Sequence, residues 1–221
     1  MATTLAVLLL ADSRLPNGGH AHSGGVEMAV ETGLLSTVDD LALFLRGRLR
    51  TAAPVLAAFS AAAALPIDDW PAWDRALSAR TPSAALRTAS RSQGAALLRT
   101  VAGMWPLPGG LLALGKPHQP LVLGAAARAA GGDAGDAALL AVHHLMGGAC
   151  SAAVRLLGLD PLAVAAVQAT LDVAQIARDA VVAAEIAVDA QDPSSLSAVS
   201  GPMTELLAAA HAHQEVTLFA S

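Results

Sequence analysis

A chain of 221 residues can bury a full core, and its 54% apolar content with only 3% aromatics and no tyrosine leaves alanine and leucine as the bulk material, both strong helix formers with little strand preference. A formal net charge of −5 with 14% charged residues excludes the basic field that nucleic acid selects, and it leaves too little polar surface to cover a monomer, so part of the exterior is expected to meet other protein. The single cysteine, Cys150, excludes an internal disulfide and every multi-cysteine zinc pattern and fits a reducing, cytoplasmic compartment.

The chain opens on MATTLAVLLLADSRLP, which lacks the positive flank and cleavage site of a signal peptide and is read as a native first helix. The next stretch, Ala11 to Glu27, gathers Gly18, Gly19, Gly24, Gly25, Pro16, His20 and His22. It suits a phosphate cradle, a metal site or a loop shaped for another protein. Ser36, with Asp39 three residues on, reads as a capping box. From there Leu41, Leu45 and Leu49 recur every four residues, with Arg46 and Arg50 on a second row, the pattern of an amphipathic helix that Pro54 kinks or ends. VLAAFSAAAALP continues as an almost wholly apolar helix up to Pro66.

After the connection IDDWPAWD a helix is expected from about Asp74 to Arg80, then another from Pro82 to about Met104. Three capping residues followed by proline, Thr81-Pro82, Asp160-Pro161 and Asp192-Pro193, mark helix starts. WPLPGGLLALGKPHQP is a long loop. Helices resume at about Leu121 to Ala130, Asp136 to Leu157 and Pro161 to Ala190, separated by GGDAG and GLD, and a last one begins near Pro202 before an extended EVTLFAS. No stretch alternates at period two, so the reading is all-α: one compact domain over 1–221 of roughly eight to ten helices, with a Gly-rich N-terminal loop and an extended C-terminal tail. The uncharged run Ala137 to Val154 approaches a membrane span in length, but His143, His144 and Gly147-Gly148 favour a buried core helix.

Gly110 to Lys116, GLLALGK, satisfies the spacing of a phosphate-binding loop, yet Pro117 stands where a magnesium-binding Ser or Thr belongs and no strand precedes it, so nucleotide hydrolysis is not expected. The histidines fall as His20/His22, His143/His144 and His211/His213, with His118 alone. In an extended loop His20 and His22 share a side and suit one ion; on a helix, neighbours diverge by about 100° and i, i+2 pairs by about 200°. A stable site needs three or four ligands, so backbone-bonding histidines are the first reading of His20 and His22, and a nickel or zinc contact, transient or shared across a dimer, is the second. Ser23 lacks the strand-to-helix elbow of a catalytic serine, and no catalytic set is found. Arg87 and Arg91 lie four apart on one face, with Arg99 two turns beyond Arg91: either a solvated stripe or an anchor for an acidic partner.

The stretch LLLADSRLPNGGHAHSGGVEMAVETGLL resembles the N-terminal signature of urease accessory protein F, and the likeness continues through LRGRLRT, ASRSQGAALLR, AVRLLGLDP and the closing LF-S. It spans nearly the whole chain. Many members carry an aromatic residue where His20 stands and a proline with Gly-Gln after AVRL, where this chain has Gly158, Asp160 and Pro161; LLGLDP looks like the actinobacterial version. The resemblance implies a non-enzymatic helical chaperone without a cofactor of its own. Such a chaperone dimerises and bridges urease accessory protein D to the nickel-carrying GTPase, accessory protein G, so that the complex delivers nickel to apo-urease. It further implies that 1–33 and 211–221 are partner-binding extensions. The candidate contacts are Arg14, Gly18, Gly19, His20, His22, Ser23, Gly24, Gly25 and Glu27, with Arg87, Arg91, Arg155, His211 and Phe219. The competing class is a helical metal-binding protein or metal-dependent hydrolase using His20 and His22.

Overall fold

The computed structural model describes residues 4–214 and 217–220. Over them run twelve α-helices: α1 Leu5–Ala11, α2 Val26–Glu31, α3 Val38–Arg50, α4 Ala52–Ala63, α5 Trp70–Ala79, α6 Ala84–Ala102, α7 Gly109–Leu112, α8 Gln119–Ala129, α9 Ala134–Leu157, α10 Pro161–Thr170, α11 Ala174–Asp189 and α12 Pro202–His211. Two 3₁₀ turns, Gly19–Ala21 and Pro193–Ser195, complete the described structure, which contains no strand among the described residues. The all-α reading holds. The helix number exceeds eight to ten because α2 and α7 are short and because 161–190 is two helices. At Leu171 the chain turns extended, and Asp172 Oδ1 accepts the Ala174 N–H, so the side chain replaces a helical bond and starts α11 afresh.

Helix α4 is apolar on every side and is accordingly the centre of the core, with nine of its twelve residues buried. It packs against α8, α9 and α11. At the crossing of α4 and α8 the helices approach so closely that a Cβ on Gly124 would lie 2.0 Å from the Ser60 carbonyl oxygen. Small residues thus let the backbones meet where larger ones would hold them apart. Helix α9 is long and apolar enough to cross a membrane by length and composition, but 56% of its apolar window is buried inside the protein. Its Cys150 is buried, and burial pushes the thiol up to about 11, leaving it a packing residue.

Several boundaries differ from the sequence reading for identifiable reasons. The capping box of α3 is formed by Thr37 and Asp40, one residue beyond Ser36 and Asp39. The break before α4 falls at Thr51 rather than at Pro54, since the proline ring occupies the space of the Arg50 carbonyl four residues back and is tolerated in the first turn of the next helix. Helix α5 starts at Trp70, not Asp74, because Asp69 caps the Ala72 N–H and Pro71 fits the opening turn. Thr81-Pro82 does not start α6: Thr81 Oγ1 donates to the Leu77 carbonyl, and Ser83 is the cap. Asp160-Pro161 opens α10 as expected, while Asp192-Pro193 opens only a 3₁₀ turn. The GLLALGK segment holds part of α7, and the Lys116 carbonyl accepts a bond from Arg91.

Candidate functional site

The Gly-rich stretch leaves α1 and is pinned at each step by a side chain. His143 Nε2 and His144 Nε2, neighbours on α9, donate to the Ala11 and Leu10 carbonyls at 3.1 and 2.8 Å, satisfying the open end of α1. Burial holds the His144 imidazole below its usual pKa. Asp12 accepts from the backbone and guanidinium of Arg14, which holds its carboxyl down to about 2. Arg14 itself stands almost fully in solvent. Thr100 Oγ1 donates to the Pro16 carbonyl, and the buried Asn17 accepts the Gly19 N–H at 2.8 Å to open the 3₁₀ turn.

Gly18, Gly24 and Gly25 all have positive φ, whereas Gly19 does not. At Gly24 the φ of +63° coincides with the Arg48 guanidinium, whose Nη1 would lie 2.8 Å from a Cβ there and donates to the Gly24 carbonyl. No L side chain meets both demands at once. His20 is exposed and donates from Nε2 to the Ser13 carbonyl at 2.5 Å. His22 is partly buried, and its pKa is lowered, first by burial and then by the charge of His211. Ser23 is fully buried.

Glu27, on α2, is 2% exposed and gathers three donors from the other end of the chain. His211 Nε2 reaches it at 2.7 Å, the Leu218 N–H at 2.6 Å and the Phe219 N–H at 3.2 Å. Gln214 donates to Glu31, and the Ala220 N–H donates to the Ala21 carbonyl at 2.6 Å. Arg155, near the end of α9, completes the seam: its guanidinium lies 4.5 Å from the Phe219 ring centroid and donates to the His20 carbonyl at 3.0 Å. Six of the sequence-derived candidates, His20, His22, Glu27, Arg155, His211 and Phe219, thus belong to one joint between the first and last segments. Glu27, His211 and Phe219 are interior to it, so any partner meets the backbone and side chains they hold in place. Of the proposed extensions, Met1, Ala2, Thr3, Glu215, Val216 and Ser221 lie outside the described residues.

Arg87 and Arg91 belong to a separate cluster. Arg87 Nη1 donates to the Thr81 and Pro82 carbonyls, and Arg91 pairs with Asp74 at 2.6 Å and bonds Ser78 Oγ. Asp74 Oδ1 also accepts the His118 N–H, and the His118 ring lies 2.9 Å from both Ser78 Oγ and Ser90 Oγ. Burial, reinforced by the Arg91 charge, pushes the His118 imidazole down to about 4. Both arginines are committed inside the chain, and neither is a bare stripe.

Sequence reasoning missed Arg48, Asp74 and His118 as placed groups. For Arg48 a signal existed: it is seven residues from Leu41 and three from Leu45, on the apolar face of α3. Among the described residues no three His, Cys, Asp or Glu side chains are grouped to hold a metal ion.

The chain is similar in sequence to known proteins over nearly all of its length. A family model described as UreF matches residues 35–172. A urease accessory protein UreF of Mycobacterium sp. (strain JLS) is 43% identical, with all of both chains covered. The proteins of that description from Mycolicibacterium vanbaalenii and Mycobacterium marinum are each 41% identical, covering 100% and 99% of this chain and all of their own.

Proposed function

The chain belongs to the urease accessory protein UreF family, and from that premise we propose that it is a non-catalytic urease-maturation chaperone, one helical domain that works as a homodimer. In this reading it bridges accessory protein D and the GTPase accessory protein G on apo-urease. It carries no cofactor of its own, and nickel passes through the complex as cargo. The assembly forms in the cytoplasm and involves neither nucleic acid nor membrane. Bringing donor and acceptor into one assembly makes metal transfer effectively intramolecular, so the scaffold need form no covalent bond.

The observation that carries the proposal is the outward apolar character of the first and last helices. Leu5, Leu8 and Leu9 form one exposed face of α1, with Leu5 84% exposed, and Met203 and Leu206 form another on α12. Exposed leucines at i, i+3 and i+4 are costly on a lone monomer and suit burial by other protein. The reading that uses His20 and His22 as metal ligands has less support, since His20 Nε2 is spent on the Ser13 carbonyl and among the described residues no third ligand-bearing side chain joins the pair.

The test is urease activity in cells supplied with nickel, the urease subunits and the other accessory proteins, with and without this chain. Activity is expected only with it. Equal activity without it, with apoprotein and nickel levels matched, overturns the proposal.

A further inference from the structure

We propose that the cavity lined by Arg48 of α3 together with residues of α4, α6, α9 and α12 is a binding site for a carboxylate, anchored by Arg48. Arg48 is only 9% exposed and sits on the core-facing side of α3, beside Gly24 and over the Phe44 ring. Its Nη1 is spent on the Gly24 carbonyl, and its buried Nε has no partner. Among the described residues no carboxylate lies within ion-pairing distance of it, in contrast to Arg14 and Arg91, each paired at 2.6 Å. A buried cation with one neutral acceptor is expensive, and the missing component is an anion.

The space for that anion is present. Arg48 lines a cavity of about 540 Å³ whose wall also carries Arg80, Arg155 and Thr204. Glu205 lies on the same wall but its carboxylate is turned to the Ser83 N–H at 2.6 Å. The wall is therefore net positive, and its volume suits a small acid or one side chain. On the same wall Gly201 permits a close approach to the end of α3, since a Cβ there would come within 2.9 Å of Thr51 Oγ1 and 3.6 Å of Thr204 Oγ1. With Nη1 committed, the Nε–Nη2 edge has no acceptor among the described residues; its two parallel N–H groups match the two oxygens of a carboxylate, and because Nε is buried the ligand engages Nη2 first and reaches Nε only as the side chain shifts to meet it. Of the three arginines on this wall only Arg48 is buried, Arg80 being partly exposed and Arg155 exposed, so the enclosed part of the cavity offers one cation and matches a singly charged carboxylate better than a more highly charged phosphate. The same chemistry has two sources, a free small acid or an Asp or Glu side chain of a partner reaching in.

The full-length chain is titrated with sodium acetate and, separately, with an end-capped Ala-Glu-Ala peptide and with sodium phosphate, against sodium chloride at matched ionic strength and pH. The expected result is a saturable rise in Tm, roughly 4 °C or more at a hundredfold excess over Kd, together with a saturable shift of the Arg48 Nε–H resonance. Arg48→Met, an apolar replacement of a buried charge that cores commonly tolerate, is expected to lose the Tm response. The resonance shift is read on the unmodified chain and stands even if that variant fails to fold. Saturation by acetate assigns a free acid, and saturation by the peptide alone assigns a polypeptide carboxylate. No saturable response from either, or a response to phosphate equal to that of acetate, overturns the inference. None of these outcomes depends on urease activation, so the two proposals fail separately.

Discussion

His118 is fully enclosed, with a serine hydroxyl at each ring nitrogen and the Arg91 guanidinium close by. That setting fits the neutral imidazole and resists the charged one. The folded site takes a proton only near pH 4, whereas the unfolded imidazole takes one near 6.5, so between those values the unfolded chain binds more protons. The site's contribution is complete above pH 6.5 and is lost as pH falls towards 4, by on the order of 3 kcal/mol. The urea midpoint is therefore expected to drop between pH 7 and pH 4.5, and His118→Gln to flatten that slope. His22 and His144, both with lowered pKa, leave a residual slope in the same direction. An unchanged slope in the variant would remove His118 from the account. The sequence showed that His118 stood alone but not what enclosed it, because its partners come from residues 74–91, which only the fold brings to it.

At the scale of helices, one substitution at two glycines should move stability in opposite directions. In α8, a Cβ on Gly124 would come 2.0 Å from the Ser60 backbone oxygen and 2.8 Å from the Ala63 Cβ, neither of which can turn aside. Gly124→Ala must push α8 off α4, the central helix, and is expected to cost about 3 kcal/mol or more. In α9, nothing lies within 4 Å of a Cβ on Gly147. Gly147→Ala is expected to stabilise by about 0.5–1 kcal/mol through helix propensity and a less flexible unfolded chain. Thermal or urea denaturation of the two variants checks both signs, and a shared sign refutes the packing argument. Elements were more legible than residues: alanine and leucine content, cap-proline pairs and leucine spacing located most helices. Their ends were less so, since Thr37 and Ser36 are chemically alike and only the backbone angle decides which one caps. The split at Leu171 was hidden because Asp172 can face solvent in a continuous helix as readily as it can restart one.

For the molecule as a whole, the decisive feature is that the two ends of the chain form one body at Glu27, a contact spanning 184 residues to His211. The sequence marked both ends as candidates but could not pair them, since a buried carboxylate and a solvated one read alike in a single chain. Glu27→Ala removes the acceptor for His211 and for the Leu218 and Phe219 N–H groups. Those donors are not trapped, because the tail can lift away and hydrate them, so the cost should appear as local undocking rather than global collapse. Amide exchange at Leu218 and Phe219 is expected to speed up at least tenfold, equivalent to about 1.4 kcal/mol of local stability, with protection in α4 and α8 nearly unchanged. Glu27→Gln, which keeps one carbonyl acceptor, should fall between the two. The same series separates a structural joint from a functional one. If the composite of His20, Arg155 and the docked tail is the face that partners recognise, urease activation in cells falls in the order native, Gln, Ala while the purified chains remain folded. If exchange quickens but activation holds, the joint serves only to close the fold and recognition lies on the apolar faces of α1 and α12.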